Sequence, residues 1–210
     1  YKRVSFDYAN PEAATRDFNH YEAVTKEHTP PKDETTRIAV ANYTALSAWN
    51  INNHLRNSEV AGRTTPALTK TEKRNIEELS LHINSQPNMP EGEVFYRGAG
   101  SGKKFANMQV GDICDDKGFQ SASSSFVMAS RFTEQGGRMR GDTWHQDKTM
   151  LKFVTGGNEK ACKGSNGEME VIFQHGTKWQ VGSIDYGDVN IDREEEKTVL
   201  HMKVITMVGT

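Results

Sequence analysis

Cysteine is scarce in this chain: there are two in 210 residues, Cys114 and Cys162, far apart and outside any Cys-x-x-Cys or His-rich spacing. That pattern argues against a disulfide framework and against a zinc site, so two free thiols and no metal are expected. No run of eighteen apolar residues occurs, so no stretch reads as a membrane-spanning helix and no membrane partner is expected. Neither sign of charge dominates. The 26 basic and 28 acidic residues leave a formal net charge of -2, which advertises no surface for nucleic acid phosphates. Residues 1–10 carry neither an apolar leader nor an initiator Met, as in a trimmed or processed chain. Two glycine-framed signatures are also missing. No Gly-x-Gly-x-x-Gly opens a helix, and no Gly-x-Ser-x-Gly forms a nucleophile elbow.

What is present supports one domain with a full core, since 35% of the residues are hydrophobic. Residues 33–56 contain no Gly or Pro; Asp33 can cap, and Ile38, Ala41, Ala45, Leu46 and Trp49 recur at helical spacing. This segment is expected to be one helix. A second helix is expected over 69–83, where Thr69 and Glu72 have capping-box spacing and Ile76, Leu79 and Ile83 share a face. Pro87 and Pro90 close it. From Glu93 onward the texture changes to short apolar runs punctuated by glycine, at 94–96, 150–154, 169–173 and 198–208. Helices followed by strands predict an α+β fold within a single domain, 1–210, with a helical lobe over 1–90 and a β-rich core over 91–210. Two glycine-bearing stretches, 134–147 and 156–167, read as mobile loops.

Three motifs interrupt this pattern. Phe95-Tyr96-Arg97-Gly98 brings an arginine to a strand end ahead of Gly98, Gly100 and Gly102. A guanidinium fork suits a diphosphate, and glycines let backbone N–H groups approach a ligand. Gly118-Phe119-Gln120-Ser121-Ala122-Ser123 puts two hydroxyls on one face if it is a strand, where they can orient a carboxylate. Gly167-Glu168-Met169-Glu170 runs into an apolar strand. Alternation along that strand would set Glu168 and Glu170 on one face roughly 7 Å apart, a costly placement for like charges unless chemistry uses it. Read singly, each motif has an ordinary meaning: a structural salt bridge, a polar loop, a solvated strand edge.

Together, and in this order, they resemble the Arg, Ser-Thr-Ser, Glu-x-Glu signature of the mono-ADP-ribosyltransferases, in the branch that includes clostridial binary toxins, bacterial effectors and phage enzymes. Tyr43-Thr44, Ile51-Asn52 and Leu55-Arg56 are similar to a further pattern, in a helix that closes over the nicotinamide in the binary-toxin group. The resemblance spans about residues 35–180 and departs at Ala122, where the family carries Thr.

The resemblance implies two packed, mostly antiparallel sheets with NAD, as co-substrate, in a cleft between them. It implies that Arg97 grips the diphosphate, that Gly98 meets the nicotinamide carboxamide through its backbone, and that Tyr43 and Phe132 lie near the nicotinamide. Phe132 has core packing as its ordinary alternative. Cleaving the glycosidic bond leaves positive charge on the ribose; Glu170 is expected to stabilise it, with Ser121 orienting Glu170. Glu168 is expected to face the nucleophile. In this family a Glu at that place accompanies arginine as acceptor, and a carboxylate can both bind a guanidinium and help remove its proton. Asn158, Glu159 and Lys160 are candidate contacts to a target protein bearing that arginine. Secretion, or delivery into a target cell whose cytoplasm is the place of action, is the implied setting. NAD glycohydrolysis and a catalytically silent binding module of the same fold are the alternatives.

Overall fold

Residues 11–58, 62, 65, 67–99, 105–133, 137–165, 167–193 and 196–210 are described by a computed structural model of the chain. Residues 1–10, Gly100, Gly102 and Gly136 lie outside the described residues.

Among the described residues four α-helices precede the first strand. Helix α1 (Pro11–Val24), which the apolar pattern did not signal, buries Tyr21 and Val24 against the sheet. Helix α4 (Lys70–Ser85) begins where Thr69 and Glu72 exchange both bonds of a capping box, and it buries Leu79 and Ile83. Capping of this kind satisfies donors that a helix start otherwise leaves unpaired.

The single helix expected over 33–56 is three pieces: α2 (Glu34–Asn42), a π-helical turn (Tyr43–Ser47) and α3 (Ala48–Asn57). Asp33 does cap α2, accepting from the Thr36 N–H at 2.8 Å. In the π segment the Ser47 hydroxyl donates to Asn42 O at 2.9 Å and the Thr44 hydroxyl to Val40 O at 2.8 Å, side-chain bonds that compete with the regular ladder. The extra residue of an i→i+5 turn changes the phase of the helix. Ile51 thereby joins Val40 and Tyr43 in one buried cluster. The face named from sequence is not the buried one, for Trp49 is 72% exposed and Ile38 is also on the surface.

Among the described residues nine strands form one sheet, eight of them along the path β2-β8-β9-β5-β1-β3-β7-β6 and β4 added on β5. They are β1 (Val94–Gly98), β2 (Ile113–Asp115), β3 (Gln120–Ser123), β4 (Gly137–Arg140), β5 (Thr143–Val154), β6 (Ala161–Lys163), β7 (Glu170–Phe173), β8 (Lys178–Arg193) and β9 (Glu196–Gly209). Among the described residues only β5 and β9 pair in parallel. The two packed sheets expected from the resemblance are two halves of this one path, curled face to face. Trp179 of β8 meets Phe153 of β5 and Phe173 of β7 at ring-centroid distances of 4.7 and 5.2 Å, although β8 and β7 lie far apart in strand order. Its indole N–H donates to Gln120 Oε1 at 2.6 Å, so the polar edge of this fully buried ring is satisfied.

Both stretches read as loops contain strands. Residues 137–147 are a β4–β5 hairpin turned at Gly141, whose φ of 61° is the left-handed conformation glycine adopts readily. The 156–167 stretch contains β6, and its Glu159 is buried, accepting from the Gly156 and Gly157 N–H groups at 2.9 and 3.1 Å. Lys160 donates from Nζ to Gln86 O. The Glu159 and Lys160 side chains are thereby tied into the fold. Cys114 and Cys162 are both buried.

Candidate active site

Strand β1 serves two faces. Phe95 and Arg97 point inward, Phe95 to the core and Arg97 into an adjoining cleft; Tyr96 and Gly98 face the short helix α5 (Phe126–Ser130). A Cβ on Gly98 would stand 2.6 Å from Ala129 O and 2.7 Å from the Phe132 carbonyl carbon. Glycine at 98 is thus required by the closeness of backbone from α5, in addition to any ligand contact. The cleft, about 390 Å³, is lined among others by Tyr43, Arg97, Gly98, Ser121, Phe132, Glu168 and Glu170. All seven residues singled out from the sequence are brought together here.

Arg97 donates from Nη1 to Ser121 O at 3.0 Å. Burial pushes its pKa down, with Tyr43, Asp116 and Glu170 acting against that shift. Arg56 stands near it, clamped by Asp116 through Nε–Oδ1 at 2.6 Å and Nη2–Oδ2 at 3.0 Å. Asp116 also accepts from the Gly118 N–H at 3.0 Å. Sequence reading missed Asp116. It lies in an ordinary acidic turn, and its partner is sixty residues upstream on another element.

Ser121 leaves β3 toward β7, where its hydroxyl lies beside the Glu170 carboxyl and the Tyr43 phenol and favours the ionised form of each. Tyr43 is fixed from both sides, accepting from Asn52 Nδ2 at 2.9 Å and donating to Phe119 O at 3.3 Å. Ser123 does not share the orienting task expected of both hydroxyls. Its Oγ donates to the Glu168 carbonyl at 2.7 Å and accepts from the Ser125 N–H at 3.0 Å.

Strand β7 starts only at Glu170, and Met169 before it has a φ of 50°. Glu168 and Glu170 are therefore not alternating residues of one strand. They reach the same cleft because a left-handed residue turns the chain between them. Glu170 is 8% exposed, and its pKa is raised to about 7, chiefly by burial and further by the Glu168 charge, against the opposing effects of Ser121 and Arg97. Its Oε2 has no hydrogen-bond partner among the described residues. Phe132 is 57% exposed at the lip of the cleft, which sets aside a core-packing role.

The arrangement offers a guanidinium for an anion, a buried carboxyl poised between its two charge states near neutrality, and a second carboxylate on the adjoining turn. Among the described residues no group of His, Cys, Asp or Glu has the geometry to hold a metal ion, and no helix is long and apolar enough to cross a membrane.

A family model described as ADP-ribosyltransferase exoenzyme matches residues 19–207. No curated protein sequence matches the chain. In fold, the chain is similar to the ADP-ribosyltransferase Vis of Vibrio splendidus, solved with agmatine, at 15% identity and a TM-score of 0.62 over 94% of this chain and 87% of that one. It is similar to the toxin Plx2a of Paenibacillus larvae at 15% identity and a TM-score of 0.55, over 96% and 98% of the two chains. Exoenzyme S of Pseudomonas aeruginosa, solved with human 14-3-3 protein beta and carba-NAD, gives 14% and 0.55, over 90% and 88%.

Proposed function

The chain belongs to the ADP-ribosyltransferase exoenzyme family, and within it we propose that this protein transfers ADP-ribose from NAD to an arginine side chain of a target protein. The observation that carries this reading is the Glu170 carboxyl, buried beside Ser121 and brought into one cleft with Arg97 and Glu168. The residues present fit NAD as the co-substrate. The cleft has an arginine whose only hydrogen bond among the described residues goes to one carbonyl, and the Glu170 carboxyl lines the same cleft.

NAD supplies an ADP-ribosyl group already activated by its nicotinamide leaving group. Arg97 binds the diphosphate, since a planar fork of donors matches paired phosphate oxygens. Tyr43 and Phe132 flank the nicotinamide, with the Gly98 main chain beside its carboxamide. Glu170, ionised, stabilises the positive charge that develops on the ribose, and Ser121 fixes its direction in advance. Glu168 binds the incoming guanidinium and takes up its proton. Agmatine, the ligand of the Vis structure, is itself a guanidinium compound, which supports arginine as the acceptor. Action inside a target cell, after secretion or delivery, completes the reading.

Glu168→Gln tests it. A neutral amide accepts a hydrogen bond but neither neutralises nor deprotonates a guanidinium. Nicotinamide release without acceptor should survive, while formation of labelled ADP-ribosyl-agmatine on the same preparation should fall steeply. Parallel loss of both would place Glu168 in the NAD chemistry itself. Loss of neither would remove the support for arginine.

A further inference from the structure

Glu170 carries one more feature that the cleft does not explain, namely how its first-in-strand position is held. The residue before it is left-handed, and the β6–β7 ladder registers only from Lys163↔Val171 onward. The Glu170 carbonyl nevertheless accepts two hydrogen bonds. One comes from the Gly164 N–H at 2.8 Å, and the other comes from the Tyr21 hydroxyl at 3.3 Å, across the fold from α1. Both lone pairs of that oxygen are thereby occupied.

Tyr21 is itself buried and fastened to β6, with the Lys163 ammonium 5.4 Å from its ring centroid and Lys163 also paired to Glu22 of α1 at 3.6 Å. Burial, helped by the charges of Glu22 and Glu170, pushes the Tyr21 phenol up to about 12, so it remains a donor. Gly164 acts on the side chain as well. A Cβ there would stand 2.2 Å from Glu170 Oε2 and 2.9 Å from its Cβ and Cδ. Gly164 is not among the residues with positive φ, so its backbone accepts alanine. What occupies the space of a side chain at 164 is the Glu170 carboxyl group itself.

We propose that Tyr21 and Gly164 are positioning residues that clamp Glu170 from behind the cleft, the first through its carbonyl and the second as a bare seat for its carboxyl. The catalytic half of this proposal rests on the role given to Glu170 above; the mechanical half does not. In Gly164→Ala the new methyl and Oε2 must separate by about 1 Å to reach contact distance. A displacement of that size in a reacting group costs up to roughly a hundredfold in rate. The diphosphate grip of Arg97 lies elsewhere and is untouched.

The experiment is a thermal double-mutant cycle on the whole chain, Gly164→Ala with Glu170→Ala, together with NAD hydrolysis kinetics of Gly164→Ala and Tyr21→Phe. Gly164→Ala should lower Tm, and by clearly less in the Glu170→Ala background, where Oε2 and Cδ are gone. Its kcat should fall by tens of fold at nearly constant KM for NAD. Tyr21→Phe, which keeps the ring and its packing, should lower kcat severalfold with the same split. Additive Tm losses would overturn the clamp whatever Glu170 does. Coupled Tm losses with undiminished kcat in both variants would overturn the positioning role. Undiminished turnover in Glu170→Ala itself would instead overturn the reading of Glu170, and the coupling would still support the clamp as a structural device.

Discussion

Replacing Glu170 by glutamine should change the pH dependence of stability in a direction opposite to that of an ordinary surface carboxylate. In the folded chain the Glu170 carboxyl is raised from 4.5 to about 7, mainly because burial penalises its charge. Between those values the folded protein holds a proton that the unfolded chain has released, so stability falls as pH rises through the window. At about 1.4 kcal/mol per unit, the full cost is about 3 kcal/mol, reached just above neutrality and absent below about pH 4.5. A domain of this size has roughly 5–15 kcal/mol in total, so the effect is large enough to measure. Glutamine keeps the shape and an acceptor for Ser121 but has no proton to lose. Urea unfolding of both proteins, from about pH 4.5 to about pH 8, should therefore show Glu170→Gln gaining about 3 kcal/mol relative to the parent as pH rises. His28, His82 and His175, whose pKa values burial lowers, contribute the opposite slope, but equally in both proteins. Parallel curves would refute the reasoning, because they would mean that the carboxyl is hydrated and charged throughout.

The same titration should govern catalysis: kcat/KM for nicotinamide release should rise about tenfold per unit below neutrality and level off above about pH 7, a profile read directly from initial rates. Arg97→Lys should weaken NAD binding by about tenfold or more, since a point charge cannot reproduce a bidentate fork; unchanged affinity by calorimetry would return Arg97 to a purely structural part. Gly98→Ala should lower stability by about 1–3 kcal/mol, because the atoms within 2.8 Å of the added Cβ are all backbone. An unshifted Tm would show that α5 moves aside freely.

Features whose causes are local were legible in the sequence. The Thr69 and Glu72 capping box needs only three residues of chain, and it is present as expected. The four apolar runs fall in β1, β5, β7 and β9 because burial on a sheet selects such runs. Features that depend on distant partners were not legible. Helix α1 buries few apolar side chains, Tyr21 and Val24 among them, too sparse a stripe to read without the sheet beneath it. The π turn at Tyr43–Ser47 replaced a continuous helix, since one inserted residue leaves no mark on composition. Residues 137–147 were read as a loop because glycine content hid a hairpin whose turn glycine is Gly141.

In the candidate site, Arg97, Ser121 and Glu170 were placed by strand logic, and each lies on a strand. Glu168 was placed by the same logic, and it reaches the cleft by a different route. That difference bears on chemistry. Two alternating carboxylates on one rigid strand would share one environment and repel each other with little means of separating their charge states. The left-handed Met169 breaks the equivalence. Glu170 is fixed in the ladder and buried, and that burial outweighs the opposing effects of Ser121 and Arg97, so its charge appears only near neutrality. Glu168 sits half-buried on the turn, held through its carbonyl by Ser123. On the proposed function, one glutamate is thereby tuned to a buried ribose and the other can face an acceptor that arrives from solvent. On this account the residue between the two glutamates separates the two half-reactions, and Glu168→Gln should distinguish them where Glu170→Gln cannot.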